Sequence, residues 1–320
     1  MSAILTEALH KRFDLSTRSG LRREQRSVVA VESLDLQIDS GEAIAFIGPN
    51  GAGKSTTIKM LTGILTPTSG TARVLGMVPW QERSQLAYQI GAVFGQRSQL
   101  WYHLPPRDTF ELLARVYNLE PTRYAARREM LIDRFGLNAF LDTPVRRLSL
   151  GQRMRAEVAA SLLHEPRILF LDEPTIGLDV VGRQELRDMI REWNRSEGLT
   201  VFLTSHDAGD IEQVAKRVIV INHGRIVFDD RVSTLRRRYL NAKILGVRFH
   251  DEPQWQPLAG VDVQKAAEYA LKLHVDTSAV SIERVMTQVM AAGAVADIAI
   301  EDPPLEEIIA HIYTRAGGEY

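Results

Sequence analysis

The run Gly48-Pro49-Asn50-Gly51-Ala52-Gly53-Lys54-Ser55-Thr56 satisfies the spacing GxxxxGK[ST]. Glycines at those intervals let backbone N–H groups curl around a phosphate, and a helix starting there adds its positive dipole end. Lys54 has the reach to meet terminal phosphates, and the Ser55 hydroxyl can ligate Mg²⁺. The spacing is not GxGxxG, which disfavours a dinucleotide. A second group stands at Ile168-Leu169-Phe170-Leu171-Asp172-Glu173, where four apolar residues end in two carboxylates. Ligands of open α/β sheets bind at that end of a strand. Adjacent side chains on an extended backbone point opposite ways, so the two acids can divide the work. Asp172 is suited to hold Mg²⁺ through water, and Glu173 to polarise an attacking water. Together the two groups describe phosphoryl chemistry on a Mg²⁺-bound substrate.

Positioning them requires a sheet. Leu34, Leu36 and Ile38 alternate with Asp35, Gln37 and Asp39, the period of a half-buried strand. Ala43–Ile47, Ile90–Phe94, Ile168–Leu171 and Val201–Thr204 are short apolar runs, the pattern of strands buried on both faces. Val218–Ile221 and Ile226–Phe228 flank a His223-Gly224 turn. A helix is expected from Ser55 to about Leu65, and helical patterns fall between most strands, indicating an α/β domain on a largely parallel sheet. From Pro105 to about Arg147 only helical pattern remains, which reads as an inserted helical subdomain. Beyond Tyr239 a second region begins. It offers strands at Ile244–Phe249, Leu271–Val275 and Ala296–Ile300, and helices near Ile282–Met290 and Leu305–Thr314. The expected division is a phosphate-binding α/β domain over 1–240, with its helical subdomain at about 97–150, and a small α+β domain over 241–320.

Between these groups lies Leu148-Ser149-Leu150-Gly151-Gln152, and after them come Gly177-Leu178-Asp179 and Thr204-Ser205-His206-Asp207. In this order the set resembles the nucleotide-binding subunit of an ABC transporter, over about residues 3–240. Gly95-Gln96-Arg97-Ser98-Gln99-Leu100-Trp101 and the small C-terminal region are similar to ATPase subunits of bacterial multidrug- and polyketide-exporter-type systems. The resemblance implies a P-loop ATPase fold, ATP with Mg²⁺, and a separate integral membrane permease, with export as the direction. It implies that Gln96 touches Mg²⁺ and the attacking water, and that His206 contacts the γ-phosphate. Ser149, Gly151 and Gln152 would meet the γ-phosphate bound by a second subunit, and Asp179 would cross that interface, so a homodimer is expected. Phe13 matches the adenine-stacking aromatic, although the stretch from Asp14 to Ser27 lengthens its distance from the phosphate loop. Leu150 departs from the family pattern, which has Gly there.

Composition narrows the alternatives. Lys plus Arg is 39 and Asp plus Glu 40, a balance without the basic excess of a protein held on nucleic acid by charge. There is no cysteine, so disulfides, thiolate metal sites and cysteine nucleophiles are excluded. No apolar run approaches the roughly 18 residues of a membrane span, and the N-terminus does not read as a signal peptide. The expected location is the cytoplasmic face of the membrane, reached through the permease. A soluble ABC-type ATPase acting on ribosomes or nucleic acid is the competing class, though such proteins carry tandem cassettes or long coiled coils. A module binding ATP without turnover is disfavoured by Glu173 and His206. Arg18, Arg22, Arg23 and Arg26, and separately Arg236–Arg238, read as solvated basic segments, with anionic lipid or a partner loop as the alternative. Trp101, Tyr102 and Leu104 read either as core or as an anchor for a membrane partner. His10, His103, His164 and His250 lack metal-ligand spacing.

Overall fold

The computed structural model describes residues 2–19, 22–95, 98–205, 207–238, 242–303, 305, 307–309 and 312, with backbone alone at 15–19, 22–25 and 236–238. The chain divides into two compact units, Met1–Val232 and Ser233–Tyr320.

The first unit is built on a nine-stranded mixed sheet. Its strands are β1 (Ser2–Ser19), β2 (Arg22–Asp39), β3 (Ala43–Ile47), β4 (Ser69–Val74), β5 (Ile90–Phe94), β6 (Ile168–Asp172), β7 (Thr200–Thr204), β8 (Arg217–Asn222) and β9 (Arg225–Arg231). They lie in the order β4-β1-β2-β9-β8-β3-β7-β6-β5. The strands from β8 to β5 are parallel. The β1–β2, β1–β4 and β8–β9 pairs are antiparallel, so the sheet is less parallel than the sequence pattern suggests. The physical reason is the connection: the His223-Gly224 turn and the Asp14–Ser27 stretch are too short for crossovers and make hairpins instead. The expected solvated loop over Asp14–Ser27 is thus strand, paired from Asp14↔Ser27 to Ser19↔Arg22. The side chains of Arg18, Arg22 and Arg23 lie outside the described residues, as do those of Arg236–Arg238.

β3 is buried at all five positions, and its alternation feeds two cores. Ile44 and Phe46 pack with Ile58 and Leu61 of α1 (Lys54–Leu61), while Ala43 faces the opposite side. On β6, Ile168 and Phe170 share the α1 side, and Leu169 and Leu171 the other. Two-sided burial is why these strands read as continuous apolar runs.

Three helices separate β5 from β6, after the short α2 (Arg83–Ala87): α3 (Pro106–Val116), α4 (Pro121–Arg134) and α5 (Leu150–Leu162). Pro106 and Pro121 stand in the first turns of α3 and α4, where a missing N–H costs nothing. Phe110, Leu131, Phe135, Phe140 and Val158 fill one core with Leu186 and Trp193 of α6 (Val180–Glu197). The short α7 (Ala208–Val214) lies between β7 and β8, and α8 (Val232–Arg238) follows β9.

The second unit has an antiparallel four-stranded sheet of β10 (Ala242–Phe249), β11 (Val261–Ala267), β12 (Ala270–Asp276) and β13 (Val295–Glu301), in the order β11-β12-β10-β13. One face packs Leu245, Val247, Leu273 and Val275 against Val285 and Val289 of α9 (Ile282–Ala292). β11 has no counterpart in the sequence reading: six of its seven residues are exposed, so it shows no core-facing alternation.

Candidate active site

The phosphate loop runs from the end of β3 into α1. Gly51 and Gly53 have φ of +82° and +108°, conformations that a side chain would strain. A Cβ on Gly48 would collide with Ile221 O, and one on Gly53 with Ala30 O. The loop therefore lies hard against β8 and β2. Gly224 N donates to Ala52 O at 3.0 Å, and Glu32 N to Gly224 O at 3.0 Å, so the turn between β8 and β9 ties the loop to β2. Gly53 caps α1 without a side-chain hydrogen bond, which leaves the first-turn N–H groups for a ligand. Ser55, in that first turn, is exposed.

Lys54 is 6% exposed, and its Nζ donates to Gly48 O at 2.6 Å and Pro49 O at 3.3 Å. The ammonium lies 3.8 Å from Glu173 Oε1. Burial pulls its pKa down, opposed by the charges of Glu173 and Asp172. A triphosphate would add further negative charge beside this buried cation, favouring its charged form.

Asp172 and Glu173 stand where β6 ends. Thr204 Oγ1 donates to Asp172 Oδ1 at 2.7 Å and accepts from Glu173 N at 3.1 Å. Glu173 N also donates to Thr204 O at 3.1 Å. Glu173 has φ +55°, a left-handed conformation costly for a side-chain-bearing residue and found where surrounding bonds hold it. Thr204, fully buried, supplies both bonds; sequence reading quoted it without giving it a task. Gly95 N donates to Asp172 O at 3.0 Å, and a Cβ on Gly95 would stand 2.9 Å from that oxygen. β5 therefore delivers the chain to the acid pair at the residue before Gln96. Gln96 and His206 themselves lie outside the described residues.

Behind the acids is a network that sequence reading missed. Asp210, fully buried, accepts from Thr175 Oγ1 at 2.5 Å, Ser205 Oγ at 2.5 Å and Arg187 Nε at 2.6 Å. Arg187 and Arg183 also hold Asp207, at 2.7 and 2.8 Å, and Arg183 Nε reaches Leu178 O at 2.9 Å. The residues on either side of His206 are thus fastened to α6 and to the turn before Asp179. Arg183 and Arg187 recur four apart on α6, a helix-face spacing that was available as a signal.

A second cluster is built on α5 and α6. Ser149 caps α5 in a reciprocal capping box with Gln152, and Asp179 caps α6 by accepting from Gly182 N at 2.7 Å. Ser149, Gly151, Gln152 and Asp179 line one cavity of about 150 Å³. Leu150 has a packing reason: a Cβ on Gly177, at φ +74°, would stand 2.8 Å from Leu150 Cδ2, so the larger residue occupies space that Gly177 leaves open.

Phe13 pairs across the hairpin with Val28, two residues from the Ala30 that touches Gly53. The hairpin explains how Phe13 stays near the phosphate loop despite the intervening sequence. Lys11 Nζ lies 5.2 Å from the Phe13 ring centroid and donates to Thr66 O at 2.7 Å.

A family model described as "ABC transporter" matches residues 31–176. A daunorubicin/doxorubicin resistance ATP-binding protein of Streptomyces peucetius is 36% identical over 81% of this chain and 77% of its own. The chain belongs to the ABC transporter family. A daunorubicin resistance ATP-binding protein of Streptomyces coeruleorubidus is 33% identical over 92% of this chain and 95% of its own, so likeness runs through the C-terminal unit. In fold, the cassette is similar to a dimeric post-hydrolysis ATP-binding cassette bound to ADP and phosphate, with a TM-score of 0.62, 23% identity, and coverage of 72% of this chain and 98% of that one. It is an ATP-binding, ATP-hydrolysing transporter subunit. Among the described residues no helix is long and apolar enough to cross a membrane.

Proposed function

We propose that this subunit hydrolyses ATP between two copies of itself to drive a separate membrane permease in export, at the cytoplasmic face of the membrane. The observation that carries the catalytic part is Glu173, held at φ +55° by Thr204, with Oε1 3.8 Å from the buried Lys54 ammonium. Lys54 and the backbone N–H groups of the loop from Asn50 to Thr56 bind the phosphates, with Gly48 and Pro49 shaping its entry, and Phe13 stacks on adenine. Ser55, Asp172 and Gln96 are oxygen donors of the hard kind that Mg²⁺ prefers, and Asp172 is oriented for this by Thr204. The ion, when bound, neutralises charge on the β- and γ-phosphates. Glu173 accepts a proton from water as its oxygen attacks the γ-phosphorus; the bond to the bridging oxygen breaks, and ADP and phosphate leave. His206 contacts the γ-phosphate.

One chain has one phosphate loop and one cluster of Ser149, Gly151, Gln152 and Asp179. That cluster is built on α5 and α6 rather than around the loop, which suits donation to the nucleotide of a partner copy. Export is supported by the two drug-resistance relatives, and a separate permease by the lack of a spanning helix among the described residues.

Glu173→Gln tests both parts. It keeps size and hydrogen-bonding reach but removes the carboxylate, so turnover is expected to fall by about 10²–10⁴-fold while ATP binding survives. Unhydrolysed Mg-ATP should then accumulate a dimer that ADP disperses, as read by size-exclusion chromatography. Wild-type turnover would remove Glu173 from the reaction. A mutant that stays monomeric at high ATP would sink the two-copy arrangement alone.

A further inference from the structure

Glu157 is an acid among the buried residues Ala156–Leu162 of α5, the signature helix in that it carries Gly151 and Gln152 and is capped by Ser149, and it is 4% exposed. Its carboxylate accepts from the Ser98 hydroxyl and from Gln99 N at 3.1 Å, while Gln99 Nε2 donates to its main-chain oxygen at 2.8 Å. Three bonds thus fasten the chain immediately after Gln96 to α5. Burial pushes the carboxyl upward against the pull of the Ser98 hydroxyl and the Gln99 and Leu100 amides. Apolar packing would hold the helix as well without that desolvation, so stability alone does not account for an acid here.

The same segment is fastened again further along. Arg146 N donates to Tyr102 O at 3.0 Å and Val145 N to Leu104 O at 3.1 Å, just before Ser149. Residues 98–104 therefore grip both the approach to the signature cluster and, through Glu157, the helix that carries it.

We infer that Glu157 is a positioning residue that makes the segment after Gln96 and the signature helix move as one body. A change at Gln96 on the subunit's own nucleotide is then delivered to Ser149 and Gly151, which face the partner's nucleotide. The inference rests on the two-copy reading above. Glu157 touches no reacting atom; it sets how well one site reports to the other.

Glu157→Gln separates this role from packing. Glutamine keeps the volume but turns one carboxylate oxygen into a donor, so with Gln99 N on the remaining oxygen the Ser98 hydroxyl must accept rather than donate and the charge-assisted bond is lost. The expected result is wild-type affinity for a fluorescent ATP analogue and a melting temperature within a few degrees of wild type. kcat should fall on the order of ten-fold, inside the range of ordinary coupling energies, with the Hill coefficient for ATP dropping toward one. Glu157→Asp, which keeps both acceptor oxygens, should recover much of the loss. In the Glu173→Gln background, adding Glu157→Gln should raise the ATP needed for dimerisation by a similar factor. Wild-type kcat and Hill coefficient in Glu157→Gln would overturn the inference, as would a kcat loss matched by equal losses of melting temperature and binding. If Glu173→Gln alone fails to dimerise, it is the two-copy reading that falls. If it dimerises and Glu157→Gln changes nothing, the fault lies with Glu157.

Discussion

Lys54 is buried with its ammonium on the loop's own carbonyls and 3.8 Å from Glu173. Lys54 thus links the loop's own carbonyls to the acid at the end of β6. Lys54→Ala removes the charge that balances the triphosphate, and a charged hydrogen bond is worth about 1.5–3 kcal/mol. Affinity for a fluorescent ATP analogue is expected to fall at least about ten-fold, as equilibrium titration would read; unchanged affinity would mean the loop is not the nucleotide site. At this scale the sequence was most informative where a short motif is itself the site: Gly48–Thr56 and Asp172-Glu173 need only local spacing to be recognised. Thr204, Asp210 and Glu157 were harder to see because their partners are distant in the chain. Thr204 serves Asp172 from the neighbouring strand, 32 residues on, and Asp210 gathers Thr175, Ser205 and Arg187. Glu157 alone carried a local signal, an acid among buried neighbours, that could have been read.

Among the elements, the segment from Trp101 to Leu104 is the one whose two readings the structure distinguishes. Trp101, Tyr102 and Leu104 are 43%, 59% and 38% exposed, which is not core packing. Such a cluster beside α3, whose Leu112 and Val116 are also exposed, suits a partner surface. Trp101→Ala should cost the isolated subunit no more than about 1–2 kcal/mol and leave its hydrolysis intact. Transport by the assembled complex should be impaired; an isolated subunit that unfolds would return the residue to a packing role. Elements differ in legibility for a plain reason. β3, β6 and β7 are buried on both faces and announce themselves as apolar runs. β11 leaves six of its seven residues exposed and so carries no core-facing period, and the outer part of the β1–β2 hairpin is known by its backbone pairing.

For the whole molecule, every phosphate-facing motif precedes the division at Val232/Ser233, and the second unit has its own core around Leu245, Leu273 and Val285. A truncation ending near Leu240 should fold and bind ATP with affinity close to that of the full chain. Loss of binding by a folded truncation would tie the second unit to the nucleotide site.

The floor of the phosphate loop has a further consequence, for the order in which the protein can be made. β3 lies between β7 and β8, whose pairing residues begin at Val201 and Arg217, and the loop rests on Ile221 and Gly224. A ribosome releases Gly48–Thr56 long before those supports exist. Pairings so far apart in sequence must wait for loop closure and are intrinsically slow. The nascent chain therefore carries an unsupported apolar strand through most of its synthesis. The footing of the loop is complete only after the turn that follows β8 has emerged.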